Sequence, residues 1–252
     1  MEKKQTAIYM EGMTSISAVL NSPESNDRRI LEILFDKDKT ASKASELSFL
    51  KSKARELEFA ITYLSSAEID TLADGRTHGG ILARTTDRTI PPLTKDQLKK
   101  DGFYVYPEGI EDPYNFGYTL RALYAAGVDG VVLPERNWMT AAGVVARASA
   151  GCSELMPLFT AASSEVADIF HRAGYRILCA GIRDSVSIFE EEFHFPILLV
   201  IGGEKRGISR TLLDVADKVV RIDYGRPFRG SLSAASAASV MAFELLRQNK
   251  KN

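Results

Sequence analysis

The sequence predicts an α/β fold: a C-terminal parallel sheet with helices on both faces, preceded by a smaller α/β segment. Two observations carry this. From residue 101 onward short apolar strands alternate with helix-length stretches, the pattern of a parallel sheet. Within that region the runs GVVL (130–133) and LLVIG (198–202) are apolar without alternation, as strands covered on both sides should be. The chain has 252 residues, 45% of them hydrophobic, enough to bury a sizeable core.

In the first hundred residues, Ile30, Leu31, Ile33, Leu34 and Phe35 form a dense apolar cluster that reads as a buried strand. Leu47, Leu50, Ala54 and Leu57 recur at helical spacing, with Lys51, Lys53 and Glu56 between them as a solvated face. Phe59–Leu64 reads as a strand. Ser65 with Glu68 makes a capping box for a helix through Leu72, which Gly75 is expected to end. Gly79-Gly80 should turn the chain into a strand at Ile81-Leu82-Ala83. Residues 87–101 contain Pro91-Pro92 and a charged run; proline removes a donor and restricts its predecessor, so this is a linker or a surface loop. Domains are therefore expected at 1–95 and 101–252. In the second, strands are expected at Phe103–Tyr106, Val128–Leu133, Arg176–Ile182, Ile197–Ile201 and Val219–Ile222. Helices are expected at about 116–126, 139–149, 164–173, 208–216 and 233–248.

The formal net charge is −1, which argues against a tail-driven nucleic-acid binder while leaving room for a local basic surface. Cys152 and Cys179 stand far apart with no CxxC pair, and His78, His171 and His194 form no ligand box, so no metal site is expected. No apolar run reaches the roughly 18–20 residues of a membrane span, and Met1–Gln5 lead into no apolar signal region. A cytoplasmic protein is expected.

Ligands of open α/β sheets bind where strands exit at their carboxyl ends. Three segments stand at such exits. The first is Ile201-Gly202-Gly203-Glu204-Lys205-Arg206-Gly207, whose glycines let backbone approach a ligand and offer amides near a helix start. It fails both the P-loop and the G-x-G-x-x-G patterns, and it could simply be a turn ending a core strand. The second runs from Glu111 to Arg121. Asn115 sits there as a helix N-cap candidate, and Arg121 is either surface decoration or a group suited to a phosphate. The third, Arg226 to Ala238, opens the last helix, with Ser231 or Ser233 as cap; Arg226 and Arg229 could form an anion-binding patch.

In this order and spacing the three segments resemble the three motifs of the SpoU/TrmH branch of the SPOUT RNA methyltransferases. Asn115-x-Gly117-x-x-x-Arg121 with Gly127-Val128 resembles the first. Gly202-Gly203-Glu204-x-x-Gly207, followed by a strand ending at Ile222, resembles the second, and Ser231-Leu232-Ser233 before an alanine-rich helix the third. Tyr9-Met10-Glu11-Gly12 and His78-Gly79-Gly80-Ile81-Leu82-Ala83 resemble, more loosely, the start and end of the small RNA-binding domain that precedes the catalytic domain in many members.

The resemblance implies transfer of a methyl group from S-adenosyl-L-methionine to a ribose 2′-hydroxyl of structured RNA, ribosomal RNA before tRNA. It implies a SPOUT domain with a trefoil knot, a homodimer with active sites at the interface, and no metal. It assigns Ile201, Gly202, Gly203, Gly207, Ile222 and Leu232 to the cofactor. Asn115, Arg121, Glu204, Ser231 and Ser233 fall at catalytic and RNA-facing positions. Because a guanidinium pKa lies above about 12, Arg121 is better read as binding a phosphate or stabilising the developing alkoxide than as a base. Members usually carry Ser-Leu-Asn in the third motif, where this chain has Ser233. That departure keeps alive a second reading, a catalytically silent RNA-binding protein retaining the fold.

Overall fold

The computed structural model describes residues 8–24, 26–110, 112–135 and 137–250; Met1–Gln5 and Glu111, which entered the sequence reading, lie outside the described residues. The elements run β1 (Ile8–Glu11), α1 (Gly12–Leu20), β2 (Ile30–Asp36), α2 (Ala44–Leu57), β3 (Ala60–Leu64), α3 (Ser66–Leu72) and β4 (Ile81–Thr85). After them come β5 (Phe103–Glu108), α4 (Pro113–Ala125), β6 (Gly130–Leu133), α5 (Ala142–Ala148), α6 (Cys152–Leu155) and β7 (Leu158–Thr160). The chain ends with α7 (Val166–Arg172), β8 (Arg176–Ala180), β9 (Val186–Ser187), β10 (Ile197–Gly202), α8 (Arg210–Asp214), β11 (Lys218–Arg221) and α9 (Ala234–Asn249).

The chain divides into two compact units, residues 1–89 with 141–155, and residues 90–140 with 156–252. The first is built on a four-stranded sheet ordered β1-β4-β2-β3, with β2 and β3 parallel and the other pairs antiparallel. Met10, Ile16, Ile33, Phe35, Leu50 and Ile81 fill its core together with Ala142 and Ala146 of α5. The expected capping box is present: the Ser65 hydroxyl receives the Glu68 amide, and the Glu68 carboxylate receives the Ser65 amide at 2.8 Å. Gly75 does not end α3. That helix stops at Ala73 in extended backbone, while Gly75 lies over the ion pair of Arg147 with Glu11, where a Cβ would fall 2.3 Å from the guanidinium. Glu11 is buried, and its other oxygen accepts the amides of Asp74 and Gly75. In the same unit Glu154 of α6 is fully buried and bound to Arg28 at 2.9 Å and to Asn26. A buried pair of this kind stands only because further hydrogen bonds satisfy it.

The second unit carries a seven-stranded, wholly parallel sheet ordered β7-β6-β5-β10-β8-β11-β9. β10 lies at its centre, between β5 and β8, and all residues from Ile197 to Ile201 are buried, the reason for its unbroken apolar run. Tyr104, Phe170 and Tyr175 meet edge to face with centroids 5.0–5.8 Å apart. Residues 90–98 pack on this unit: Leu93 is in its core, and the Leu93 amide bonds the Thr160 carbonyl. Strands β7 and β9, with three and two residues, are additions to the expected set.

Candidate active site

The seven strands deliver their carboxyl ends to one edge, where β10 runs out at Gly202. There the loop closes on itself, through a bridge between Gly203 and Gly207 with the Gly207 amide on the Gly203 carbonyl at 3.0 Å. Gly202 is required by this closure, and Gly203 by the close approach of Gly109. A Cβ on Gly202 would meet the Gly207 carbonyl carbon at 2.4 Å, and one on Gly203 would sit 1.7 Å from the Gly109 carbonyl oxygen. Two side chains tie the loop to the neighbouring segment: Glu108 at the end of β5 accepts the Ser209 amide at 2.7 Å, and the Asn115 amide donates to Glu204 at 3.0 Å.

Asn115 is free to make that contact because it is not the cap of α4. Asp112 is: its carboxylate accepts the Asn115 backbone amide at 2.7 Å, and Pro113 takes the first helical position, where its missing donor costs nothing. The expectation of Asn115 as cap is thereby corrected, and the helix begins three residues earlier than its apolar pattern suggests.

A cavity of about 500 Å³ opens beside the glycine loop. All six residues assigned to the cofactor line it: Ile201, Gly202, Gly203, Gly207, Ile222 and Leu232. Glu204 and Ser231 line it too, and Glu204 is shared with a smaller cavity of about 200 Å³ that Asp112 and Asn115 border. Ser233 is not among the residues lining either cavity; it caps α9, its hydroxyl accepting the Ser236 amide at 3.2 Å. Arg121 is exposed on α4 and outside the cavity lining.

Several lining residues were not singled out from sequence. Gly181 and Ile182 follow the exit of β8, Asp223 and Tyr224 follow β11, and Ala237 and Met241 face in from α9. The strand-exit rule would have found Asp223. Its carboxyl is held below the usual range by hydrogen bonds from Ser187 and Arg221, so it is charged near neutral pH. Cys179, one strand inward, is an inert thiol, pushed up to about 12 by burial.

The space suits a cofactor of nucleoside size. Ile201, Ile222, Leu232 and Met241 offer apolar walls for a base, and Gly202, Gly203 and Gly207 bring backbone to the cavity's surface. A Cβ on Gly207 would meet no atom within 4 Å, so the loop there stands open rather than packed.

Comparison with known proteins now decides the family. Residues 102–243 match the model of the SpoU rRNA Methylase family, more than half of the chain, and residues 9–91 match that of RNA 2′-O ribose methyltransferase substrate binding. The chain belongs to the SpoU rRNA methylase family. Among its relatives is the 23S rRNA (guanosine-2′-O-)-methyltransferase RlmB of Shewanella oneidensis, 28% identical over 258 residues, covering 98% of this chain and 99% of that protein. Solved methyltransferase structures share the fold. The AdoMet-bound rRNA methyltransferase from Sinorhizobium meliloti has a TM-score of 0.79 at 20% identity, over 96% of this chain and 87% of that one. AviRb from Streptomyces viridochromogenes in complex with AdoMet gives 0.76 at 23%, over 96% and 90%. The expectation of an α/β SpoU/TrmH protein of the SPOUT class with a small N-terminal domain is thus met.

Proposed function

We propose that this SpoU-family protein transfers the methyl group of S-adenosyl-L-methionine to a ribose 2′-hydroxyl of ribosomal RNA. One observation carries the reading most directly: the six residues assigned to the cofactor from the motifs alone converge on one cavity with Glu204 and Ser231 at its edge. The relative that covers nearly the whole chain is a 23S rRNA 2′-O-methyltransferase, which supports the same substrate class.

When bound, the cofactor supplies a methyl group on a positively charged sulfur that leaves as a neutral thioether. The chain's own residues then have three tasks. The glycine loop and the apolar walls hold the cofactor so that methyl and ribose oxygen meet in line, and such positioning lowers the barrier by removing orientational freedom. Asn115 fixes the Glu204 carboxylate where the two cavities meet, within reach of a hydroxyl entering either. Of the residues assigned to catalysis, Glu204 alone carries a carboxylate able to accept the hydroxyl proton, whereas the Arg121 guanidinium only donates and stabilises the alkoxide or a flanking phosphate. Ser231 offers a hydroxyl at the rim.

We also propose the homodimer and the family's trefoil knot, residues 1–95 as the RNA-binding part with 101–252 as the catalytic part, and the cytoplasm as the compartment. The dimer has a physical motive. Tyr114, Tyr118 and Tyr124 are exposed on α4, and at 100° per residue they and Arg121 fall within an arc of about 120°. A second copy covering that face would bury the tyrosines and carry Arg121 to the other copy's cavity.

The test is transfer of radiolabelled methyl from S-adenosylmethionine to 23S rRNA transcribed in vitro, with tRNA in parallel and Arg121→Ala as control. The reading expects label in an alkali-stable dinucleotide, lost in Arg121→Ala without loss of cofactor binding. Cofactor binding with no label in any RNA would transfer the assignment to the silent RNA-binding reading.

A further inference from the structure

The loop between β11 and α9 interleaves aromatic and basic residues: Tyr224-Gly225-Arg226-Pro227-Phe228-Arg229. Both of its aromatic side chains line the cofactor cavity, yet neither is part of its buried wall. Ile201 and Met241 are 1% and 3% exposed, whereas Tyr224 is 37% and Phe228 56% exposed. A phenylalanine more than half exposed at the mouth of a cavity loses apolar burial unless something covers it.

The ring of Phe228 is nevertheless held in place. It meets Tyr224 edge to face, centroids 5.6 Å apart at 63°. It lies over Gly230, where a Cβ would come within 2.6 Å of Cζ, so a residue with a side chain at that position would displace the ring. Tyr224 in turn is tied to the third motif, its hydroxyl accepting the Leu232 amide at 3.3 Å. Arg226 and Arg229, on either side of Phe228, are exposed and form no ion pair among the described residues. Pro227 stands between Arg226 and Phe228 and restricts the backbone of Arg226.

We infer that Phe228, braced by Tyr224, is the shelf on which the base of the target nucleotide stacks, with Arg226 and Arg229 on the phosphates flanking it. This rests on the RNA methyltransferase reading above. An exposed aromatic face accepts any base by stacking, and arginines beside it neutralise backbone charge, the combination that single-stranded RNA binding uses. The geometry suits this chemistry because a ribose whose base lies on Phe228 is at the mouth of the cavity that Glu204 and Ser231 border.

The experiment compares wild-type protein with Phe228→Ala, Phe228→Leu, Phe228→Tyr and the double variant Arg226→Ala/Arg229→Ala. Each is assayed for the Kd of S-adenosylmethionine, the Kd of 23S rRNA transcribed in vitro across a salt series, and KM and kcat for methyl transfer. Phe228→Ala and Phe228→Leu are expected to raise RNA Kd and KM by about five- to 150-fold, with cofactor Kd unchanged within about twofold and Phe228→Tyr restoring RNA binding. Leucine keeps apolar bulk without a π face, so its failure separates stacking from packing. The double arginine variant should flatten the dependence of log Kd on log salt by up to about two, near one per lost phosphate contact.

Parallel loss of cofactor affinity in Phe228→Ala would assign the ring to the cofactor and overturn the inference. RNA Kd and KM within twofold of wild type would overturn it as well. Should wild-type protein bind RNA but transfer no methyl, the enzymatic reading fails while RNA Kd still decides the shelf. If it binds no RNA, both fall.

Discussion

Gly203 has no room for even a methyl group, since its Cβ would lie 1.7 Å from the Gly109 carbonyl oxygen, while a Cβ on Gly207 would meet nothing within 4 Å. Gly207 costs its replacement only through its φ of +64°. The two glycines of one motif are therefore required for different reasons. Gly203→Ala should destabilise by about 1–3 kcal/mol through forced backbone movement and abolish cofactor binding by opening the loop. Gly207→Ala should cost about 1 kcal/mol. Urea midpoints and cofactor titration read both, and equal effects from the two substitutions would refute the distinction. At this scale the motif residues were legible as a set, because strand exits rich in glycine are where α/β sheets bind ligands. Their individual tasks were not. Gly202 was read as making space for the cofactor, yet its nearest obstacle is Gly207 of its own loop. Nor did any spacing announce Tyr224, and Phe228, though inside the third segment, was given no role; both line the cavity from the loop after β11.

Helix ends decide what the side chains near them can do. In α9 the Ser233 hydroxyl accepts an amide that the helix leaves orphaned. Serine and asparagine are near-equal caps, so the departure from Ser-Leu-Asn preserves the one role the structure gives this position. Ser233→Asn should leave unfolding stability unchanged, and Ser233→Ala should lower it by about 1 kcal/mol. Methyl transfer should survive in Ser233→Asn within a few-fold of wild type. A large gain from asparagine would instead mean that a lost amide contact limits this protein. The same reasoning explains what sequence reading missed at α4: capping by Asp112 and a start at Pro113 lie outside the apolar period, so the helix was expected three residues late and Asn115 was given the cap. Long apolar strands such as β10 were legible because burial on both faces leaves a continuous signal. The three residues of β7 and two of β9 are too short for any periodicity, and only their pairing with β6 and β11 makes them strands.

For the whole molecule the question is whether one chain holds a complete site. Arg121 is exposed, lies outside the cavity lining and shares its helix face with three exposed tyrosines. Asn115, a turn and a half earlier on the same helix, does reach Glu204 of its own chain. If Arg121 acts within its own chain, a subunit lacking it and a subunit with a blocked cavity stay inactive when mixed. If it acts across a two-fold interface, the mixture regains function. Ala237→Phe supplies the blocked cavity, because Ala237 lines it from α9 and a ring there takes up its space. Refolded together in equal amounts, Arg121→Ala and Ala237→Phe should form about half heterodimers, each with one site that has both an open cavity and an arginine. Methyl transfer should then return to about a quarter of the wild-type rate, from two proteins that are each silent. Continued silence in the mixture, with heterodimers verified by affinity tags on each subunit, would return Arg121 to its own chain and remove the reason for a shared site.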